Sequence, residues 1–283
     1  MSRATTERPL RRRLDQLLVE RGLADTRAKA QALILAGQVR TGEGDGARTD
    51  RKAGDLVDLG LPISIAERDR YVSRGGHKLA AALDAFSIDP SGLVCLDAGA
   101  STGGFTHVLL QRGAVRVHAV DVGRGQLADR LSRDPRVVAL DRTNARNLGP
   151  ESLGEPIDLA VIDVSFISLA LVLGPVASTL RHAAGPPGNP IVALVKPQFE
   201  VGRGGTDHGV VRDPAVHRAV VERVVEQAAA LAIGARAVIA SPILGPEGNR
   251  EFLLHLQAGP SCAEIGQEIA AATAPVEQGS GGR

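Results

Sequence analysis

The sequence predicts an α/β protein: a doubly wound, mostly parallel Rossmann-like sheet of seven strands, preceded by a small α+β domain. Short apolar runs alternate with helical patterns from residue 93 onward, and the first run leads into a glycine-rich turn. Charge is also uneven, since residues 1–83 carry 16 Lys and Arg against 11 Asp and Glu, and residues 84–283 carry 17 against 21. The basic part indicates a nucleic-acid-binding module, and a solvated charged surface is the alternative.

The 283 residues are enough for two domains, and the composition excludes several classes of protein. Cys95 and Cys262 stand alone, so they form neither a disulfide framework nor a zinc site, and they fit a reducing cytoplasm. The most apolar stretch, residues 159–177, is interrupted by polar residues, glycine and proline, and is a poor membrane span. Aromatic residues make up only 2%, so base stacking is not the main means of binding RNA. We expect a cytoplasmic monomer that needs no metal.

The amino-terminal region contains two short helical patterns and one strand pattern. Residues 14–21 and 27–36 have helical spacing and each pattern is followed or closed by a glycine, while residues 55–59 alternate like a half-buried strand. Asp25 or Thr26 is expected to cap the second helix. The predicted inward face of that helix consists of Ala28, Ala32, Leu35 and Ala36.

Cationic side chains near the helix starts would offer a positively charged face to RNA phosphates. They are Arg11, Arg12, Arg13, Arg27, Lys29 and Arg40. The motif R-L-D-x-L-L-V-E-R-G-L-A, followed by T-R-x-x-A-x-x-L-I-L-A-G-x-V, resembles the RNA-binding domain named after ribosomal small-subunit protein four. The resemblance covers about residues 11–66, and it implies a structured RNA partner but no particular chemistry.

The larger body follows a charged stretch, residues 67–73, which we expect to be a linker. Helical patterns are found at 78–86, 106–113, 125–131, 168–180 and 214–231. The predicted strands are Leu93–Asp97, Val115–Asp121, Val137–Asp141, Ile157–Asp163, Ile191–Lys196, Ala237–Ala240 and Glu251–Leu256. Because strands alternate with helices, the sheet is expected to be mostly parallel. Residues 1–10 and the Gly/Ser-rich carboxyl end are expected to be disordered.

The glycine turn after the first strand predicts a nucleoside site. A strand, a glycine turn and a helix place a ligand outside the carboxyl end of the strand. The turn has the spacing G-x-x-x-G-G at Gly99, Gly103 and Gly104, which differs from the G-x-G-x-x-G of dinucleotide binders. A nucleoside such as S-adenosyl-L-methionine therefore fits better than a dinucleotide, and the glycines are expected to let the ligand approach the backbone. A dehydrogenase is the rival for this fold, and a merely structural role is the alternative for the turn.

Charged residues end several of the predicted strands. Asp97, Asp121 and Asp163 end strands one, two and four, so they should share one edge of the sheet. Asp121 is expected to accept the ribose hydroxyls of the nucleoside, with a helix-capping acid as the alternative. Asn144 could contact the adenine amino group, and a loop asparagine facing solvent is nearly as good an interpretation. Lys196 ends strand five, where a lysine usually reaches for solvent.

A functional role for Lys196 is favoured because Lys78, Asp163 and Glu251 can converge on the same edge of the sheet. The segments 73–79, 97–106, 163–168, 196–200 and 249–252 together resemble the TlyA family of rRNA cytidine 2′-O-methyltransferases, also catalogued as haemolysins. The catalytic part is similar to FtsJ-type 2′-O-methyltransferases. The resemblance covers about residues 11–257 and implies a methyltransferase domain at 74–260, a tail at 261–283 and rRNA in ribosomal subunits as the partner.

The resemblance also implies the site residues. The catalytic tetrad would be Lys78, Asp163, Lys196 and Glu251. The cofactor-binding residues would be Asp97, Gly99, Ser101, Thr102, Gly103, Gly104, Phe105, Asp121, Asn144 and Asp163. FtsJ-type enzymes usually have aspartate where Asn144 stands, so that contact departs from the family pattern.

The expected chemistry is in-line attack of a ribose 2′-hydroxyl on the methyl carbon of a sulfonium ion. Positive neighbours and partial desolvation lower the pKa of a lysine in general, which allows a lysine to act as a base at neutral pH. We expect Lys196 to take the proton, Asp163 to orient it, and Glu251 to hold Lys78 or the hydroxyl. Other interpretations are a pseudouridine synthase, a non-catalytic RNA-binding factor for ribosome assembly and a haemolysin.

Overall fold

The computed structural model describes residues 10–44, 47–65, 70–181, 188–201 and 206–275. The chain divides into two compact units, residues 1–70 and 71–283. The division falls inside the predicted linker, residues 67–73, while the other predicted domain boundaries stay predictions. Most of the predicted disordered start and the Gly/Ser-rich end lie outside the described residues.

The first unit packs two helices on short antiparallel strands. Its elements are β1 (Arg11–Arg13), α1 (Leu14–Glu20), α2 (Arg27–Leu35), β2 (Val39–Thr41), β3 (Leu56–Asp58) and β4 (Ile63–Ile65). Strand β1 pairs with β3, and β2 pairs with β4. Thr26 caps α2 by accepting a hydrogen bond from the Lys29 backbone N–H, so one of the two predicted caps is correct. The sequence pattern did not predict β1 or β4.

The predicted inward face of α2 is wrong. Ala30 and Ile34 are buried against α1, whereas Leu35 is 91% exposed. The other three residues of the predicted face, Ala28, Ala32 and Ala36, are exposed as well. Apolar residues occupy both faces of this helix, so its sequence has no unique apolar stripe, and the contact with α1 selected the face.

The second unit contains a seven-stranded sheet. Its elements are α3 (Gly75–Ala85), β5 (Val94–Ala98), α4 (Gly104–Gln111), β6 (Arg116–Val120), α5 (Asp129–Ser132), β7 (Val137–Leu140), β8 (Leu159–Ile162), α6 (Leu173–Ser178), β9 (Ile191–Val195), α7 (Pro197–Glu200), α8 (Pro214–Ala229), β10 (Ile233–Ala240), β11 (Phe252–Ala258) and α9 (Ile265–Thr273). The strand order is β10-β11-β9-β8-β5-β6-β7. Strand β11 runs antiparallel to both neighbours and the other pairings are parallel. The predicted fold class is confirmed.

Strands β8 and β9 form the centre of the core because every residue in them is apolar and buried. Parallel pairing of β5, β6, β8 and β9 brings their carboxyl ends to one edge of the sheet. The polar residues that end or follow these strands are consequently neighbours in space, although they are far apart in the chain.

The predicted helices before and after β8 are shorter than expected. The pattern at 125–131 yields only α5, and the pattern at 168–180 is divided between a short 3-10 helix at 169–171 and α6. The predicted tail, by contrast, contains a packed helix, α9, in which Ile269 and Thr273 are buried. Within the described ranges, no helix is long and apolar enough to cross a membrane.

Candidate active site

Two hollows open at the carboxyl edge of the sheet. The first, called the cleft here, has a volume of about 440 Å³ and is lined by Ser73, Arg74, Gly75, Lys78, Gly99, Ala100, Ser101, Thr102, Gly104, Phe105, Asp163, Ser165, Lys196 and Leu244. The second, called the groove, has a volume of about 790 Å³, and Asp121, Asn144 and Phe166 are among its lining residues. Gly99, Ser101, Asp163 and Ser165 line both hollows, so the two are adjacent.

Two lysine–carboxylate pairs lie at the cleft. The Lys196 ammonium is 2.5 Å from Oδ1 of Asp163, and Lys78 Nζ donates to Glu251 Oε2. Lys78 lies in the first turn of α3, Asp163 follows β8, Lys196 follows β9, and Glu251 precedes β11. The structure therefore brings together all four residues of the predicted tetrad, arranged as two neutral pairs.

The Lys78–Glu251 pair is withdrawn from water. Glu251 is fully buried, and the Lys78 side chain is only 8% exposed. A buried ion pair of this kind is destabilised strongly when one partner is removed, because the other charge is left uncompensated. Gly245 makes room for the pair, since a Cβ at this position would lie 2.3 Å from Glu251 Oε1. The sequence pattern gave no signal for Gly245.

The glycines of the turn make room for protein atoms. Gly99 has a positive φ of 92°, and a Cβ there would lie 2.3 Å from the carbonyl oxygen of Asp163. At Gly104 a Cβ would lie 2.3 Å from Oγ of Ser73, and at Gly103 it would meet leucine side chains. Packing of the chain on itself thus requires these glycines, which is the structural alternative for the turn, while Gly99 and Gly104 also line the cleft and their contact with a ligand stays a prediction.

Asp121 belongs to the wall of the groove. Its Oδ2 accepts a hydrogen bond from the Ser101 backbone N–H at 2.8 Å, and its Oδ1 accepts one from Gly123 N–H at 2.7 Å. These bonds fix the carboxylate, and each oxygen keeps a lone pair for a hydroxyl donor. Asn144 also lines the groove, but its Oδ1 accepts from the Arg146 N–H at 3.1 Å.

Asp97 lies beneath the turn instead of facing either hollow. It is fully buried, and its Oδ2 accepts from both the backbone N–H and the hydroxyl of Thr106, at 2.8 and 2.6 Å. Burial raises the pKa of Asp97 to about 7, partly offset by the Thr106 hydroxyl, while the nearby charge of Asp163 raises it further. The prediction that Asp97 contacts the cofactor is not supported, because the residue instead ties the start of α4 to β5.

The cationic residues of the first unit fall into two groups. Arg13 and Arg27 both contact the buried carboxylate of Asp15, at 3.0 and 2.9 Å. The hydrogen bond from Arg13 is the main reason that the pKa of Asp15 is lowered. Of the remaining predicted RNA-binding residues, Arg12 pairs with Glu20 and Arg40 donates to the carbonyl of Gly44, while Arg11 and Lys29 are exposed.

Ser165, Arg74 and Leu244 line the cleft but were not among the predicted site residues. Arg74 donates to the carbonyl oxygen of Leu244 at 2.7 Å, which joins the start of α3 to the segment before Glu251. Ser165 could have been noticed, because it follows Asp163 by two residues in the same loop. Leu244 had no detectable signal, since it lies in an irregular segment.

Comparison with known proteins decides the family. The model of the FtsJ-like methyltransferases matches residues 71–258, and the model of the S4 domain matches residues 12–41. The chain belongs to the FtsJ-like methyltransferase family. This membership removes the dehydrogenase and pseudouridine synthase interpretations, and it confirms an enzyme of the methyltransferase type joined to an S4 domain.

The relatives confirm the predicted resemblance to TlyA. The chain is 49% identical over 249 residues to a Mycobacterium tuberculosis protein named 16S/23S rRNA (cytidine-2′-O)-methyltransferase TlyA, covering 87% of this chain and 90% of that protein. It is 48% identical to YqxC of Bacillus subtilis, which is named as an rRNA methyltransferase, over 91% of this chain and 89% of YqxC. A solved structure from Streptococcus thermophilus, whose name includes hemolysin, is 40% identical with a TM-score of 0.69, covering 93% of this chain and 96% of its own.

Proposed function

We propose that the protein transfers the methyl group of S-adenosylmethionine to the ribose 2′-oxygen of cytidine in 16S or 23S rRNA, or in both, within ribosomal subunits. The observation that carries the proposal is the meeting of two lysine–carboxylate pairs at a cleft adjacent to a nucleoside-sized groove. The name of the Mycobacterium tuberculosis relative supports the same substrate. Working on ribosomal subunits, the protein would act in the cytoplasm, as a monomer.

The groove suits a nucleoside cofactor. Asp121, fixed by two backbone N–H groups, presents a carboxylate that can accept both ribose hydroxyls. Asn144 would face the base, because its Oδ1 keeps a lone pair beside the bond from the Arg146 N–H and can accept from the adenine amino group. The turn residues Ser101 and Thr102, together with Phe105, would contact the amino-acid end from the side of the cleft.

The tetrad would align the ribose and take a proton. S-adenosylmethionine, when bound, supplies an activated methyl group. Both lysines line the cleft, but Lys78 is held by fully buried Glu251, whereas Asp163, the partner of Lys196, itself lines the cleft, so Lys196 would accept the proton of the 2′-hydroxyl. Asp163 would orient the Lys196 amine, and Lys78 would hold the hydroxyl oxygen in line with the methyl carbon. Holding these two atoms about 3 Å apart is worth several kcal/mol of the barrier.

The first unit would hold the RNA. Its exposed cations can neutralise phosphates without reading sequence, which suits a module that positions structured RNA. Arg11 and Lys29 are the best placed, since both are exposed and no ion pair or hydrogen bond within the described residues holds either side chain, whereas Arg13 and Arg27 hold Asp15. The buried carboxylate of Asp15 thereby fixes the two arginines at the start of α1 and α2.

The proposal is tested with the full-length protein, radiolabelled S-adenosylmethionine and ribosomal subunits that lack the modification. We expect methyl incorporation at a cytidine 2′-oxygen, located by mass spectrometry of rRNA fragments. Lys196→Ala should lower the rate at saturating cofactor by about 100-fold or more, the usual loss for a general base. Arg218→Ala, at an exposed ion pair on α8, is the control.

Calorimetry separates binding from transfer. Wild type and Lys196→Ala should both bind S-adenosylmethionine, and neither should bind NAD. Undiminished transfer by Lys196→Ala would refute its role as the base. Absence of transfer by the wild type to either subunit would refute the proposed reaction.

A further inference from the structure

Ser165 and Asp163 both contact the Lys196 ammonium. Lys196 Nζ donates to Ser165 Oγ at 2.9 Å, in addition to its 2.5 Å contact with Asp163 Oδ1. Both acceptors belong to the loop that follows β8, and Gly99 packs against the backbone of that loop. The amine of Lys196 is therefore held from two sides by one well-supported segment.

The contact with Ser165 affects the direction of the Lys196 lone pair. A neutral amine nitrogen has four tetrahedral directions: the bond to Cε, two N–H bonds and a lone pair. Ser165 accepts one N–H of Lys196 in a hydrogen bond, and Asp163, whose Oδ1 accepts no hydrogen bond in this structure, attracts the other through the 2.5 Å ion pair, so the lone pair takes the remaining direction. Lys196, Asp163 and Ser165 all line the cleft, which is where a hydroxyl proton would arrive.

We propose that Ser165 is a positioning residue that directs the lone pair of Lys196 toward the ribose hydroxyl. This inference rests on the proposed function. With Asp163 alone, the amine could rotate about the Cε–Nζ bond and still keep its ion pair. The second acceptor removes that freedom, so that the proton moves from the 2′-oxygen to Nζ along a fixed direction as the O–C bond forms and the C–S bond breaks, its electron pair remaining on sulfur.

The test compares Ser165→Ala with Ser165→Thr, which keeps a hydroxyl acceptor. The matched control is Ser178→Ala, because Ser178 lies on α6 with its hydroxyl on the carbonyl of Pro175. Single-turnover transfer is measured at saturating S-adenosylmethionine and ribosomal subunit. We expect Ser165→Ala to transfer about 10- to 100-fold more slowly, the loss that misplacement of a reacting group causes. Its affinity for the cofactor should be unchanged, and Ser165→Thr should recover most of the rate.

A second measurement does not depend on activity. The sequence contains only four lysines, Lys29, Lys52, Lys78 and Lys196, so acetylation of each by an acylating reagent can be followed by peptide mass spectrometry. The Lys196 amine should react faster in Ser165→Ala than in the wild type, with Lys29 as the internal reference. The acetylation rate tests the role of Ser165 even when no methyl transfer is detected. Absence of transfer by the wild type would count against the proposed function instead.

The inference is overturned if Ser165→Ala transfers as fast as the wild type, or if its whole defect is weaker cofactor binding. It is equally overturned if Ser165→Thr is as slow as Ser165→Ala, or if Lys196 acetylation is unchanged. In each of these cases the rate of methyl transfer by the wild type tests the proposed function independently of Ser165.

Discussion

The charge of Asp97 depends on its burial. An aspartate in the unfolded chain has a pKa near 4, whereas burial raises the pKa of Asp97 in the folded protein to about 7. The folded state therefore binds this proton more tightly than the unfolded state does. The stability that Asp97 contributes is complete below about pH 4 and is lost as the pH rises to about 7.

We expect Asp97→Asn to flatten the pH dependence of stability. The variant has no proton to lose, so its free energy of unfolding should fall less than that of the wild type between pH 5 and pH 7. Urea denaturation across this range measures the difference. Asp129→Asn, at an exposed carboxylate on α5, is the control for loss of one carboxyl group. Parallel pH profiles of wild type and Asp97→Asn would contradict the prediction.

At the scale of elements, α9 is joined to the site through Arg250. The guanidinium donates to carbonyl oxygens at the end of α9, including that of Ala272 at 2.7 Å, and it lies 5.6 Å from the centre of the Phe252 ring. Arg250 is the residue before Glu251, so the end of α9 is anchored next to the buried Lys78–Glu251 pair. A cation at a helix carboxyl end also interacts favourably with the helix dipole.

Arg250→Ala should therefore loosen α9. Loss of hydrogen bonds from a charged donor costs about 1.5–3 kcal/mol, and the exposed carbonyls permit the last turn to fray. We expect faster hydrogen exchange in residues 265–273 of the full-length variant and a lower free energy of unfolding. Arg250→Lys keeps the charge but not the planar group, so its free energy of unfolding should lie between those of Arg250→Ala and the wild type. Unchanged exchange in α9 would show that the helix is held by its apolar face alone.

At the scale of the whole molecule, charge is divided between the two parts of the chain. Residues 1–70 carry 14 Lys and Arg against 11 Asp and Glu, and residues 71–283 carry 19 against 21. Attraction to phosphates should therefore come mainly from the S4-type unit, while the methyltransferase unit contributes the reacting groups. Affinity for RNA should accordingly decline steeply with salt.

We expect the double variant Arg11→Gln with Lys29→Gln to weaken binding of ribosomal RNA to the full-length protein. The slope of the logarithm of the binding constant against the logarithm of salt concentration should become shallower by about one for each lost phosphate contact. S-adenosylmethionine binding should stay unchanged. Filter binding over a salt series measures the slope, with Arg218→Gln as the control. A slope equal to that of the wild type would exclude these two cations from the interface.

The regular parts of the fold were predictable because their signals are local. Apolar runs in β8 and β9, and their alternation with helical patterns, specify a mostly parallel sheet. The charged residues at strand ends then had to share an edge, which predicted the meeting of Asp163 with Lys196. The irregular segments were less predictable: the amino-terminal strands are three residues long, and α9 lies in a stretch interpreted as a tail.

The sequence by itself determined the sheet, the turn at Gly99 and the edge at which the charged residues gather, because strand periodicity and parallel geometry act over short distances. Only the tertiary structure decided that Glu251, 173 residues from Lys78, holds that lysine, and that Ser165 contacts Lys196 beside Asp163. It also decided that Asp97 is buried beneath the turn. Pairing and burial depend on which distant segments pack together, and no local pattern in the chain encodes that choice.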